Sequence, residues 1–223
     1  MKLYTVEAGC VDIRYLVLGM LENNVYLVGN DEATAVVDPT GQPEVIMEAL
    51  KEWGGRSLDM IFLTHHHYDH TGAACDLREA TGAAVVASAI DTPQIEKANN
   101  VVGDIWKARP CPVDRQVADG DTVELKGMAW KVMGTPGHTP GSVCFYFDPA
   151  TAPHPDRSPV LLAGDTLFFG STGRTDFEDG SMPDMRRSLK KLAALPDDTI
   201  VLPGHDRLTT IAAERDRVFR RYA

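Results

Sequence analysis

Six of the seven histidines in this 223-residue chain fall in three short stretches, and a fourth stretch of the same build carries an aspartate instead. The densest is Thr64-His65-His66-His67-Tyr68-Asp69-His70-Thr71-Gly72, which begins where the apolar run Met60-Ile61-Phe62-Leu63 ends. Side chains alternate in extended backbone, so His65 and His67 can converge on one ion while His66 points away. Asp69 and His70 fall at the turn into the next helix and can aim at a second point nearby. Imidazoles and a carboxylate without thiolates suit Zn, Fe or Mn. The alternatives are a solvated histidine run or a purification tag. A tag sits at a terminus, whereas this run is wedged between a buried strand and a helix.

The other three stretches share one design: an apolar strand, a glycine, then a ligand-type residue. They are Trp130-Lys131-Val132-Met133-Gly134-Thr135-Pro136-Gly137-His138, Val160-Leu161-Leu162-Ala163-Gly164-Asp165 and Thr199-Ile200-Val201-Leu202-Pro203-Gly204-His205. The glycine permits a sharp turn and close backbone approach, and the ligand stands at the end of a strand. Taken singly, each would read as a turn residue. With the histidine cluster they bring the candidate ligands to seven: His65, His67, Asp69, His70, His138, Asp165 and His205. That is too many for one tetrahedral ion and suits two. Asp165 is the natural bridge, because a carboxylate can join two ions and an imidazole cannot.

Short β-branched or aromatic runs at Tyr4–Glu7, Ile13–Leu18, Val25–Val28 and Ala33–Val37, separated by Gly and Asn, predict hairpins. Asp38-Pro39-Thr40-Gly41 is a turn. A helix follows from Pro43 to about Trp53, with Gly54-Gly55 past its end. Met60–Leu63 reads as a strand buried on both faces. A helix over about Gly72–Thr81 leads to a strand at Ala84–Ala87. The second half repeats the style, with strands at Thr122–Leu125, Met128–Met133, Val143–Phe147, Val160–Ala163 and Thr199–Leu202. Its helices are Pro183–Leu195 and Leu208 to about Tyr222. Pro149–Pro159 is polar and proline-rich, a surface hairpin loop. Two similar halves, each a sheet covered by helices on one face, predict an α/β fold: a four-layer αββα sandwich forming a single domain over residues 1–223.

Hydrophobic residues make up 43% of the chain, enough for a core without disulfides and against disorder of the whole. The net charge of −10 and the lack of a large Lys/Arg cluster argue against nucleic acid and anionic lipid as partners. No stretch approaches the length of a membrane span, and the N-terminus reads as a strand, not a signal peptide. Cys10, Cys75, Cys111 and Cys144 are scattered without a CxxC pair, which predicts reduced thiols and a cytoplasmic protein. Cys144 sits in an apolar run and is expected to be buried.

The pattern His65-x-His67-x-Asp69-His70, then His138, Asp165 and His205, resembles the metallo-β-lactamase fold hydrolases, from about Asn23 to Arg215. The resemblance implies the αββα fold. It implies that His65, His67 and His138 hold one metal and Asp69, His70 and His205 a second, with Asp165 bridging. Asp38, closing Ala35-Val36-Val37-Asp38, matches an acidic position that supports the ligands from behind. The likeness is closer to glyoxalase II-type thioesterases. It rests on Thr64-His65 with Asp69-His70-Thr71-Gly72, on Gly137-His138-Thr139-Pro140-Gly141-Ser142, and on Gly164-Asp165-Thr166-Leu167-Phe168 followed by Gly173-Arg174-Thr175-Asp176. Leu202-Pro203-Gly204-His205, with Thr209-Thr210-Ile211 and Glu214-Arg215 after it, resembles a short bacterial subgroup. The full-length enzymes carry a further C-terminal helical region, where this sequence reads as one final helix. Basic residues expected after the second motif are replaced by Phe147-Asp148-Pro149.

The activity implied is a dinuclear metal-dependent hydrolase for a small-molecule acyl thioester, glutathione-linked in the full-length enzymes. A metal-bridging hydroxide attacks the acyl carbon, with Asp69 as ligand and orienter. Two divalent ions are expected, zinc first, with iron or manganese also suited. Arg174, Tyr146, Phe168, Phe169 and Phe177 are candidates for the substrate pocket, core packing being the alternative for the aromatics and an ion pair with Asp176 for Arg174. No Gly-x-Ser-x-Gly nucleophile turn is present. The rival is a persulfide dioxygenase, whose Gly-Arg-Thr-Asp stretch Gly173–Asp176 resembles. It would use one Fe(II) on His65, His138 and Asp165.

Overall fold

The computed structural model describes residues 1–8, 11–97, 108–149 and 158–223. Cys10, His154 and most of the loop expected over Pro149–Pro159 lie outside the described residues. The chain divides into two compact units: Met1–Glu7 with Val11–Val117, and Ala8–Cys10 with Ala118–Ala223.

The first unit is built on a seven-stranded sheet whose strands follow chain order. They are β1 (Tyr4–Val6), β2 (Asp12–Leu18), β3 (Asn23–Gly29), β4 (Thr34–Val37), β5 (Met60–Phe62), β6 (Ala84–Ser88) and β7 (Arg115–Val117). Pairing is antiparallel from β1 to β4 and parallel from β4 to β7. Parallel neighbours need crossovers. Helix α1 (Pro43–Glu52) joins β4 to β5, and α2 (Tyr68–Thr71) with α3 (Ala74–Thr81) joins β5 to β6. Helix α4 (Thr92–Lys97) lies between β6 and β7 in the sequence. Leu27, Val36, Ile61 and Val85 of the sheet share one buried cluster with Ile46 and Leu50 of α1 and Leu77 of α3. The ends of β4 and β5 therefore rest on a packed floor.

The second unit has a six-stranded sheet. Its strands are β8 (Thr122–Leu125), β9 (Met128–Gly134), β10 (Val143–Phe147), β11 (Val160–Gly164), β14 (Ile200–Pro203) and β15 (Thr209–Thr210). A separate hairpin, β12 (Leu167–Phe168) with β13 (Ser171–Thr172), leaves the end of β11. Strands β11 and β14 are parallel and joined through α5 (Met182–Leu192). Ser181 caps α5 by accepting from Asp184 N at 3.3 Å. Met185, Leu189 and Leu192 of α5 pack into one cluster with Leu161, Val201 and Val218. No helix among the described residues is long and apolar enough to cross a membrane.

The sequence predicts most of these elements to within a residue or two, but five stretches differ. The helix expected over Gly72–Thr81 is α3, starting at Ala74, and Asp69 and His70, expected in the turn before it, lie on a short helix of their own, α2. Helix α4, strand β7 and the β12–β13 hairpin are short pieces, two to six residues each, that carry too little periodicity to be read. The last helix begins at Ile211, not Leu208, because Thr209 and Thr210 form β15 first. Thr210 then caps α6 (Ile211–Glu214), accepting from Ala213 N at 3.2 Å. The helix widens into a π-turn over Arg215–Phe219 before α7 (Arg220–Tyr222).

Gly137 shows why a glycine must precede His138. Its φ is +145°, and a Cβ there would stand 2.6 Å from both N and Cα of Met185 in α5. Gly137→Ala is expected to cost about 2–3 kcal/mol in urea denaturation. Gly120→Ala, also at positive φ but with nothing within 4 Å of the new Cβ, isolates the backbone cost, about 1 kcal/mol.

Candidate metal centre

The first unit supplies Asp38, His65, His67, Asp69 and His70. Asp38 closes β4, and its amide donates to Phe62 O of β5 at 2.9 Å. Its φ of +49° turns the buried carboxylate onto the segment that follows β5. Oδ1 accepts from Thr64 N at 2.8 Å, and Oδ2 accepts from the Thr64 hydroxyl at 2.7 Å. Oδ2 also lies 3.0 Å from His70 Nδ1. His65 Nδ1 is 3.0 Å from Thr64 Oγ1. The Thr64 proton is given to Asp38, so His65 Nδ1–H donates to Thr64. His70 Nδ1–H likewise donates to the carboxylate. Both rings are therefore held in the tautomer that leaves Nε2 as a lone-pair donor.

Ligand-type atoms of Asp38, His65 and His70 lie within 4.8 Å of one another. Asp38 spends both oxygens on three hydrogen bonds, so it orients ligands. Asp69 Oδ2 accepts from Asn23 Nδ2 at 2.8 Å and lies 3.3 Å from His70 Nε2. His67 packs edge-on to His65, with centroids 4.8 Å apart. His66 faces elsewhere, as alternation predicts. Its Nδ1 is 3.0 Å from Asp91 Oδ2, which also accepts from His66 N at 3.0 Å.

The second unit brings His138, Asp165 and His205 together. His138 Nδ1 is 2.7 Å from the carbonyl oxygen of Arg174, which makes Nδ1 the protonated nitrogen and turns Nε2 to the cluster. His138 Nε2 lies 3.3 Å and His205 Nε2 3.6 Å from the same oxygen, Asp165 Oδ2. Gly173 permits this, because a Cβ there would overlap the Asp165 carbonyl oxygen. Phe177 stands edge-on to His138 at 5.8 Å, and Phe168 edge-on to His205 at 6.0 Å.

These separations fit a metal. Ligands 2.0–2.1 Å from a tetrahedral ion are about 3.3 Å from one another. The Asp69–His70, His138–Asp165 and His205–Asp165 pairs lie at 3.3, 3.3 and 3.6 Å. The donors are nitrogens and carboxylate oxygens, and the far ring nitrogens of His65, His70 and His138 are already engaged by an oxygen.

Of the five pocket candidates, Phe168 borders His205 and Phe177 borders His138. Arg174 is exposed, and its guanidinium grips Asp176 through two bonds of 2.9 Å. That pairing holds the Asp176 carboxyl below its ordinary range. What Arg174 gives the cluster is its carbonyl. Tyr146 lies in the apolar core of the second unit with Leu161 and Leu192, and burial pushes its phenol up to about 12. Asn23 and Asp91 escape the sequence reading. They meet the motif across 46 and 25 residues, and only the Asn23-Asn24 pair at the head of a strand hints at either.

The family model of the metallo-β-lactamase superfamily matches residues 18–205. The hydroxyacylglutathione hydrolase of Acidiphilium cryptum is 36% identical over 187 residues, 84% of this chain and 65% of that protein. The chain thus spans just under two thirds of that relative's length. Among solved structures, BLEG-1 B3 metallo-β-lactamase is similar with a TM-score of 0.83 and 30% identity, covering 93% of this chain and 98% of that one. TTHA1623 in a di-iron-bound form gives 0.78 and 33%, covering 91% and 97%. ETHE1 from Myxococcus xanthus gives 0.73 and 30%, covering 95% and 84%. The chain belongs to the metallo-β-lactamase superfamily, most of whose members are metal-dependent hydrolases, and it has the α/β fold of that family.

Replacing Asp38 should expose how far the ligands depend on it. Asp38→Asn replaces one acceptor oxygen with an amide donor and sets it against at least one existing donor, Thr64 N or the Thr64 hydroxyl and His70 Nδ1. The expected outcome is a loss of about 2–3 kcal/mol in stability and a 10–100-fold drop in metal affinity by chelator competition.

Proposed function

We propose that His65, His67, Asp69, His70, His138, Asp165 and His205 act as one set holding two divalent ions, zinc first and iron or manganese as alternatives. On this reading the protein is a thioester hydrolase of glyoxalase II type, acting on a small-molecule acyl thioester. The observation that carries it is Asp165 Oδ2, one carboxylate oxygen shared by the Nε2 atoms of two histidines. A single family match that includes all seven residues supports it, as does the kinship with hydroxyacylglutathione hydrolases. Four cysteines scattered along the sequence without a CxxC pair support a reducing compartment, the cytoplasm.

Two such ions, when bound, lower the pKa of a water to about 7 and polarise an acyl carbonyl. The chain's own residues set the geometry for this. Asp38, Thr64 and the Arg174 carbonyl fix three imidazoles in their ligand tautomers. Asn23 holds Asp69, which orients the attacking oxygen. Phe168 and Phe177 shield the rings of His205 and His138 from water. A thiolate leaves readily, so no general acid is required.

The second reading is a persulfide dioxygenase with one iron on His65, His138 and Asp165. The Gly173–Asp176 stretch and the similarity to ETHE1 from Myxococcus xanthus favour it.

Thiol release from S-lactoylglutathione by the metal-loaded protein is the direct test, with metal counted per chain. Release with two ions per chain is expected. His67→Ala should lose bound metal and nearly all turnover. Activity surviving complete chelation would overturn the reading, and oxygen uptake with glutathione persulfide on one iron would establish the second.

A further inference from the structure

A basic patch stands beside His205 in the second unit. Gly170 N, in the tight turn between β12 and β13, donates to Glu214 Oε2 at 2.9 Å, and the Thr209 hydroxyl donates to Oε1 at 2.6 Å. Glu214 is fully buried, so the turn carrying Phe168 and Phe169 is pinned to the last helix. Phe168 reaches the ring of His205. Phe169, the next residue, carries two guanidiniums: Arg207 Cζ is 3.5 Å and Arg217 Cζ 4.4 Å from its centroid. Arg207 lies two residues beyond His205, after a turn made at Asp206 with φ +67°. Arg217 projects from the π-turn.

Two cations on one ring repel unless an anion answers them. Arg217 has Glu214 Oε1 at 3.5 Å, an oxygen already taken by Thr209. Arg207 has no ion-pair partner among the described residues. Arg56, Arg78, Arg109, Arg174 and Arg215 each have one. The chain's net charge is −10, so the pair does not reflect a general excess of cations. A guanidinium stacked on a ring keeps its in-plane N–H fork open and loses little freedom when it grips a carboxylate or phosphate.

We infer that Arg207 and Arg217, ordered by Phe169, clamp the anionic end of the substrate's thiol carrier. This rests on the thioester reading and adds the carrier's charge to it. Glutathione offers a carboxylate one residue from its sulfur, about 3.3–3.6 Å of extended chain per residue. Coenzyme A offers phosphates farther away. The shared chemistry is a carboxylate or phosphate on the thiol side.

Three thioesters of one acyl group test it: those of glutathione, coenzyme A and the uncharged N-acetylcysteamine. The wild type is expected to prefer an anionic thioester through a lower KM, with the preference shrinking as salt rises. R207A and R217A should each reduce that selectivity about tenfold, and R207K should restore part of it. R186A, an exposed arginine of α5 outside the patch, should leave it unchanged. The better anionic thioester identifies the carrier.

Calorimetric binding of S-methylglutathione and of coenzyme A needs no turnover. An anion bound by the wild type and weakened about tenfold in R207A upholds the clamp even if no thioester is hydrolysed. Hydrolysis with unchanged selectivity and affinity in R207A R217A overturns the clamp and keeps the thioesterase. Absence of both hydrolysis and binding overturns both.

Discussion

The metal-ligand geometry of the first unit depends on one buried carboxylate. Asp38 accepts three hydrogen bonds through its two carboxylate oxygens. Two come from Thr64 and one from His70, which are six residues apart. Between them lies the entire His65–His70 window, so its two ends are tied to one group on the neighbouring strand. Burying an ionised carboxylate is costly unless it is well bonded. Here its own backbone N–H is bonded to β5 and its oxygens are filled by donors. The left-handed backbone of Asp38 is a strained choice for a non-glycine residue, of order 1 kcal/mol. That cost is offset by the bonds that the turned side chain makes.

Both units rely on one further device: a backbone or side-chain oxygen on Nδ1 and the open nitrogen Nε2 turned to the cluster. In the first unit the oxygens belong to Thr64 and Asp38. In the second, the Arg174 carbonyl serves His138. Each holds a ring by a short bond to a rigid element, so little motion remains to be lost when a cation is taken up. Close packing of backbone makes the second case work. Gly137 lies against α5 and Gly173 against the Asp165 carbonyl, two positions where any side chain would displace a ligand.

Much of this was legible in the sequence because metal chemistry forces rare residue types into short windows. His65, His67, Asp69 and His70 announce themselves by spacing. His138, Asp165 and His205 do so by the repeated strand–glycine–ligand order. The aspect that hid was pairing at a distance. Asn23 lies 46 residues from Asp69 and Asp91 lies 25 from His66, and locally only the Asn23-Asn24 pair hints at either. The Phe169–Arg207–Arg217 stack hid for a second reason. Its hairpin has strands of two residues, and Arg217 reaches it from a π-turn, whose offset no 3.6-residue pattern anticipates. The fold's longer strands and α5 were readable because their apolar residues are buried with the expected period.

The Gly173-Arg174-Thr175-Asp176 stretch invites a functional comparison, and the structure explains why it discriminates poorly between chemistries. Its glycine makes room for Asp165, its arginine carbonyl fixes His138, and its two charges pair with each other at the surface. All three tasks concern the shape around His138 and Asp165, which a one-iron and a two-ion centre would share. Discrimination must come from residues that only a second ion needs. On the proposed reading, Asp69, His70 and His205 are those residues. Asp69 is held by Asn23, His70 is held by Asp38, and His205 is ringed by Phe168 and placed against the oxygen that His138 also faces. On the two-ion reading each of these arrangements positions a ligand. Their hydrogen bonds cost buried polar groups that an apolar core could have replaced, which favours a site shaped for two ions.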